Sequence, residues 1–480
     1  MKKILLWSMM IVMVISIIAS FSLTGCKTEA EEETVEEEVA EETTEEVAEE
    51  TTEEAAEEET LEEESGIQPP EETVTIQLAC WQLFEPMDTH WPIVYEQFKA
   101  KYPTIDIENI TLPFEDHMAY LKTTLLGGEG PDIWNSNIGS QMAQFSEYAE
   151  NLEPYAEADW GEDWKDTFLE PSIDWMLWAN PDYVIALPMD LNSIHPLVYN
   201  KTLFDELGLV PPTNYDELLQ VADVLKENGI IPWADAGSEG WINDHLFQII
   251  ALQFGDGTLY DQAREGKISW TDPQLVDAME IFKKMYDDKI FGEDPYSVDF
   301  TAMTNEFYEG KAGMTHLGSW SLMNTLGENL AGEQDPETVF ALTGDLSFNG
   351  ENAEIRTVGW PGLNFSMNKD MDESKKNAAW IVLRELTDGI FAQYHADYIS
   401  FFAASRNITA NMDDLGLDSN QQEIINSYVE YLKNMKYGLP HRYPEINTAV
   451  WDNLNEVAIG TKTPLEALEA LEEVSQNTVR

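Results

Sequence analysis

The stretch Ala186 to Trp233, ALPMDLNSIHPLVYNKTLFDELGLVPPTNYDELLQVADVLKENGIIPW, constrains the fold more than any other part of the chain. It reads as a crossover strand, a helix, a sharp turn and a second helix. Ile194 to Tyr199 is an apolar run of strand length, and Asn200 is placed to cap a helix whose Leu203, Phe204 and Leu207 recur at helical spacing. Gly208, just past the last of these, suits a left-handed C-cap, and Pro211-Pro212 cannot continue the helix. Thr213 is the expected N-cap of the next helix. Asp216 and Glu217 sit in its electropositive first turn, and Leu218, Leu219, Ala222 and Leu225 form its buried stripe before Gly229 ends it.

The flanking chain repeats the same grammar. Val74 to Cys80 predicts a first buried strand that delivers Trp81-Gln82 to its carboxyl end, where ligands sit in open α/β sheets. A helix over about 92–102 stops before Pro103, a strand follows over 105–110, and a helix over 120–126 runs into Gly127-Gly128-Glu129-Gly130-Pro131-Asp132-Ile133-Trp134. These glycines do not cradle phosphate, because no Lys-Ser/Thr follows at the required spacing. The aromatics from Trp160 to Tyr183 are expected to pack helices on the body, and a helix over 273–286 with Leu275, Met279, Phe282 and Met285 reads as core.

Taken together, Leu187-Pro188, the strand ending Tyr199-Asn200-Lys201, Leu203-Phe204, Gly208-Leu209 and Pro212-Thr213 with Asp216-Glu217-Leu218-Leu219 resemble the signature of family 1 extracellular solute-binding proteins. These are the sugar-capturing receptors of ATP-driven importers, of the maltodextrin-binding-protein type. A second stretch, Phe307 to Trp320, resembles that family's helix, glycine turn, short strand and Gly-x-Trp at the cleft. Val358 to Lys369 fits its returning strand, Thr463-Pro464-Leu465-Glu466 its final helix start, and the likeness covers nearly everything from Val74 onward.

The resemblance implies an α/β, two-lobe, periplasmic-binding-protein-like fold of type II, with Asp190 to Ile194 crossing an interlobe hinge. Lobe 1 would hold 73–191 with 357–403, and lobe 2 would hold 192–356 with 404–480. At the cleft it implies Trp81, Trp241, Trp320 and Trp360 as stacking rings, with Gln82 and Trp451 beside them. Asn135, Asn137, Asp190 and Asn192 would bond ligand hydroxyls, and Asp132 would cap backbone. Trp360 departs from the family, which has a smaller residue in this glycine segment. Arg406 is placed by a crossover that lacks the usual proline.

Aromatic rings and amides suit carbohydrate for a physical reason. A pyranose has C–H groups on one face and hydroxyls around its edge, so a flat ring removes apolar area from water while amides and carboxylates take the hydroxyls. Burying half a ring, some 100 Å², is worth roughly 2–3 kcal/mol at about 25 cal/mol per Å² before ordering costs. The fifteen tryptophans of the chain favour sugars over metal, phosphate or amino acids.

The N-terminus addresses the chain elsewhere. Lys2-Lys3 and the apolar Ile4 to Ile18 form a secretory signal over 1–25, ending in Leu23-Thr24-Gly25-Cys26, which resembles a lipoprotein processing site with Cys26 as the lipidated residue. Residues 26–72 then read as a lipidated Cys and a Glu-rich disordered tether, with VAEETTEE at Val39 repeated at Val47. Much of the formal net charge of -65 lies in this tether, and the remainder is still acidic, which argues against nucleic acid as ligand. Of the two cysteines, Cys80 stands alone in an apolar run as a small buried hydrophobe.

The expectation is therefore a membrane-anchored receptor facing outward, with no cofactor, no metal and no catalysis. Its partners are a carbohydrate and the permease subunits of an importer. Three rivals are a receptor for a non-sugar solute, a receptor serving a sensor, and an anchored glycoside hydrolase. The last needs two carboxyl groups about 5–10 Å apart across the scissile bond, and no motif announces such a pair.

Overall fold

The computed structural model describes residues 66–81, 91–169, 172–321, 338–342, 346–350, 357–400, 402–411, 419, 422–427, 435–437 and 443–479. Cys26, the tether before residue 66, Gln82 and the acidic run 412–418 lie outside the described residues.

Strands β1 (Val74–Cys80), β2 (Ile105–Thr111), β3 (Ile133–Ser136), β4 (Leu187–Pro188), β5 (Leu191–Asn200), β6 (Ile231–Ala234), β7 (Ala312–Gly318), β8 (Phe340–Leu342), β9 (Thr357–Pro361), β10 (Asn364–Met367) and β11 (Met435–Tyr437) form two separate sheets. The first has the order β2-β1-β3-β10-β4, with β1 parallel to both neighbours and β10 antiparallel to β3 and β4. The second has the order β11-β9-β5-β7-β6, with β8 paired to β5. Each sheet has its own apolar core. One gathers side chains from Ile76 to Leu191 and again from Leu363 to Ile425; the other runs from Ile194 to Val358 and from Ile446 to Leu471.

The chain changes core within three residues, between Leu191 and Ile194, as expected of a strand that crosses a hinge. Ile424 and Ile425, which the sequence reading groups with the second lobe, pack in the first core.

The local signals of the organising stretch are met almost residue for residue. The Asn200 side chain accepts from the Leu203 amide at 2.9 Å, and Gly208 closes the helix Lys201–Leu207 at φ 66 in the left-handed region. The next helix, Tyr215–Glu227, is capped by Asn214 rather than Thr213: Asn214 accepts from the Glu217 amide at 3.0 Å, while the Thr213 amide and hydroxyl donate back to the Glu217 carboxylate. Thr463 and Glu466 form a reciprocal capping box at the helix Pro464–Thr478. Cys80, Trp164, Phe168, Trp175 and Met279 are all buried, as read. Asp132 accepts from the Gln77 amide of β1 at 2.9 Å and pairs with Lys375, tying the first strand to the helix Glu373–Asp388.

Two segments that pass between the cores, Met189–Leu191 and Gly362–Leu363, run side by side with a third, Phe402–Ala404. The Met189 amide donates to the Leu363 carbonyl, Gly362 to the Asp190 carbonyl, Leu191 to the Phe402 carbonyl and Ala404 to the Met189 carbonyl, at 2.8 to 3.0 Å. Asp190 sits at the centre of these crossings. Its Oδ1 accepts from the Leu363 amide at 2.7 Å, and its Oδ2 lies 3.0 Å from His395 Nε2.

Candidate functional site

Two chemically different faces meet at Pro361-Gly362, where β9 of the second sheet hands over to β10 of the first. The aromatic face is built from three elements. Helix Gly240–Ala251 buries Ile242, Leu246, Phe247, Ile249 and Ile250, which leaves Trp241 and His245, one turn apart, half-buried on another side. Strand β7, buried along its whole length, delivers Ser319-Trp320 at its carboxyl end, and β9 supplies Trp360. The rings converge. His245 lies 5.4 Å from Trp241, 6.1 Å from Trp320 and 5.1 Å from Trp360, and Trp320 and Trp360 are 6.0 Å apart.

Each ring is held in place. The Trp241 indole N–H donates to Glu239, whose other oxygen accepts from the Phe300 amide at 2.8 Å. Trp320 folds back over Gly318, where a Cβ would lie 2.3 Å from the ring, so only glycine allows this pose. Trp451 lies within the helix Pro444–Ala458; its indole N–H donates to Asp244 at 3.4 Å, and its Cβ leaves no room for a side chain on Gly240. Trp360 packs against both cores. Unlike Trp134, Trp233, Trp270 and Trp380, which are sealed inside, Trp241, Trp320, Trp360 and Trp451 all keep part of their surface open.

The second face is made of amides and hydroxyls. β3 contributes Asn135 and Ser136, β10 contributes Asn364, and β5 contributes Asn192 and Ser193, with Asn364 opposite Ser136 and Asn192 opposite Trp360 in the ladders. Six of their polar atoms are buried with no hydrogen-bond partner: Nδ2 and Oδ1 of Asn135, Oγ of Ser136, Oδ1 of Asn192, Oγ of Ser193 and Oδ1 of Asn364. A buried polar atom left unpaired costs about 1–3 kcal/mol, so this cluster carries hydrogen-bonding capacity that the described chain does not use. The two faces are joined closely. Asn364 Nδ2 donates to the Gly362 carbonyl at 2.6 Å, and a Cβ on Gly362 would fall 2.3 Å from Asp190 Oδ1 and 2.6 Å from Asn192 Nδ2.

The other sequence-predicted residues are placed as follows. Trp81 is buried in the first core, edge-on to His117 at 5.1 Å; His117 Nε2 in turn donates to the Asn135 carbonyl at 3.0 Å. Asn137 is half-buried just past β3. Asp190 has both carboxylate oxygens engaged by the protein. Arg406 reaches the Phe168 carbonyl through its Nε at 3.1 Å. His245, Ser136 and Asn364 were not expected. For His245 one signal was available, its spacing of one helical turn from Trp241.

Behind the aromatic face lies a buried polar group. Tyr286 donates to Asp235 at 2.7 Å, and Trp233 donates to His316 Nδ1 at 3.1 Å, leaving His316 Nε2 4.0 Å from Asp235 Oδ1. Burial raises the Asp235 carboxyl to about 7 despite the tyrosine bond, and lowers His316 to about 3. Desolvation among the indoles lowers His245 to about 4, so its imidazole is neutral at ordinary pH.

The chain belongs to the bacterial extracellular solute-binding protein family, whose model matches residues 85–410. It is 26% identical over 324 residues to the multiple sugar-binding protein of Streptococcus mutans, covering 64% of this chain and 71% of that one. It is 27% identical over 231 residues to an uncharacterised ABC transporter extracellular-binding protein of Pyrococcus horikoshii, and there the match takes in 47% of this chain and about half, 51%, of the relative's length. A solved structure from work on xylan utilisation by Caldanaerobius polysaccharolyticus superposes with a TM-score of 0.72 at 19% identity, over 83% of this chain and 99% of that one. The fold is therefore the two-lobed α/β fold of the periplasmic binding proteins.

Proposed function

We propose that this chain captures a carbohydrate, an oligosaccharide, between its two lobes and delivers it to the membrane permease of an ATP-driven importer. The observation that carries this reading is the convergence of Trp241, Trp320 and Trp360 on one face, joined through Pro361-Gly362 to the buried, unpartnered amide and hydroxyl atoms of Asn135, Ser136, Asn192 and Asn364. In this reading the indoles, with Trp451 at their margin, take sugar faces. Asn135, Asn137 and Asn192 take hydroxyls. Trp81 supports the Asn135 strand through His117, and Asp190 holds the crossing segments in register. The sugar-binding relative from Streptococcus mutans supports the choice of cargo.

The two lobes, one built around each sheet and its core, would close on the ligand, because contacts to both faces exist only in the closed arrangement. A lipid on Cys26 and the acidic tether after it would keep the receptor at the outer surface beside its permease.

A thermal-shift screen of the full chain against neutral mono- and oligosaccharides, with amino acids and glycerol phosphate as controls, tests this. Saturation at 100 times the dissociation constant adds about 2.7 kcal/mol to stability. A shift with the controls alone overturns the choice of cargo and keeps the receptor. Sugar cleavage during incubation would replace it with a hydrolase. For the anchor, Cys26→Ala is expected to release the protein into the medium, and its retention in the membrane fraction would remove the lipid from the account.

A further inference from the structure

We infer that His245 is a specificity-determining residue, which hydrogen-bonds a hydroxyl of the sugar seated on the tryptophans. The inference rests on the carbohydrate reading above and adds a polar recognition group to a face otherwise made of indoles.

The argument begins with the neighbours of His245 on its own helix. Asn243 bonds Tyr286 and Asn455, and Asp244 accepts from Tyr260 at 2.5 Å and from Trp451. Among the described side chains of this helix, His245 alone has a buried polar atom, Nδ1, with no partner in the protein. It is also the one that stands among the open rings, 5.1 Å from Trp360 at an interplanar angle of 34° and nearly perpendicular to Trp241 at 80°.

If the position served packing only, an apolar ring of the same size would fill it without leaving a nitrogen unpaired. An unpaired buried nitrogen is destabilising by about 1–3 kcal/mol. Burial holds the imidazole neutral, so it has one donor and one acceptor and matches a hydroxyl, which is likewise both. A site that hydrogen-bonds a substrate hydroxyl also rejects analogues lacking it far more strongly than an apolar pocket can. Tryptophan faces accept many pyranoses; a fixed imidazole among them selects for the position of one hydroxyl.

The test uses the full chain and a panel of neutral tri- to pentasaccharides of the xylo-, chito-, malto- and raffinose types, read by calorimetry. For whichever sugar binds, His245→Phe is expected to weaken binding about tenfold or more, whereas His245→Gln, which keeps a donor and an acceptor, stays within about threefold. Unchanged binding by His245→Phe overturns the role of His245 while the carbohydrate reading stands. If no sugar on the panel binds the unaltered chain, the carbohydrate reading and this inference fall together.

Should His245→Phe not fold, side-chain nitrogen NMR of the unaltered protein decides. Saturating sugar must move the His245 ring-nitrogen resonances and leave those of the buried His316 in place. Stationary His245 signals reject the inference.

Discussion

The two faces that meet at Gly362 differ in how they are finished. On the aromatic face, every indole with a described partner is braced: Trp241 by Glu239, Trp451 by Asp244, and Trp320 by the bare backbone of Gly318. On the amide face, both side-chain polar atoms of Asn135, the Ser136 hydroxyl and Oδ1 of Asn364 are buried and unpaired. The first offers area, which is tolerant of what lies on it; the second offers directed bonds, which are not. Under the proposed function, the rings would supply most of the affinity and the amides would orient the cargo.

That division can be broken at several points. The largest effect is expected from removing two rings together, Trp320→Ala with Trp360→Ala, which should weaken sugar binding by about a thousandfold to ten-thousandfold, at roughly 2–3 kcal/mol per ring. Calorimetry that finds less than a tenfold loss would show that the indoles are scaffold. Next comes the pH dependence of the polar group behind the aromatic face.

His245 and His316, lowered to about 4 and about 3, bind no proton in the folded protein where the unfolded chain does, so their contribution is complete above the ordinary histidine value near 6.5 and is lost as pH falls toward 4 and 3. Asp235, raised to about 7, has the opposite sign: its contribution is complete below the ordinary carboxyl value and is lost as pH rises through 7. Between about pH 4 and 6.5 one group therefore offsets one of the other two. Asp235→Asn removes the offset, so the slope of stability against pH in that window, from these three groups, should double. Urea unfolding at several pH values measures this, and parallel curves for the two proteins would mean that Asp235 is charged throughout.

A smaller effect is expected at the junction. Gly362→Ala forces a methyl group against Asp190 and Asn192 and should destabilise the protein by about 1–3 kcal/mol, seen as a lower thermal midpoint. An unchanged midpoint would mean that the crossing segments yield freely. The smallest is Asn135→Ala, which should reduce sugar affinity about tenfold and disturb the ligand-free protein less than it disturbs binding, since the amide it removes has no partner there. Equal losses in both would return Asn135 to the scaffold.

Much of this molecule was legible in its sequence because its signals are local. Asn200, Gly208 and the Thr463 box act within one helical turn, so their residue types suffice to place them. The cap at Asn214 instead of Thr213 shows the limit: both side chains can cap, and the choice depended on which of them Glu217 answered. The helix holding Trp451 starts at Pro444, a residue well suited to a first turn, with Ile446, Val450, Leu454 and Val457 as its buried stripe.

The site was legible in part. Trp241, Trp320 and Trp360 stand out as large aromatics beside glycines, but that they meet around one histidine depends on three elements far apart in the chain. Ser136 and Asn364 become neighbours only through the antiparallel pairing of β10 with β3, which no short-range pattern announces. The engagement of both Asp190 oxygens depends on Leu363 and His395, 173 and 205 positions away.

Gly318 has a consequence beyond its size. The tilt of the Trp320 indole is dictated by a missing methyl group two residues upstream. A change in cargo preference, by drift or by engineering, can therefore begin at a position that never touches the cargo, by re-aiming a surface whose own residue is left unaltered.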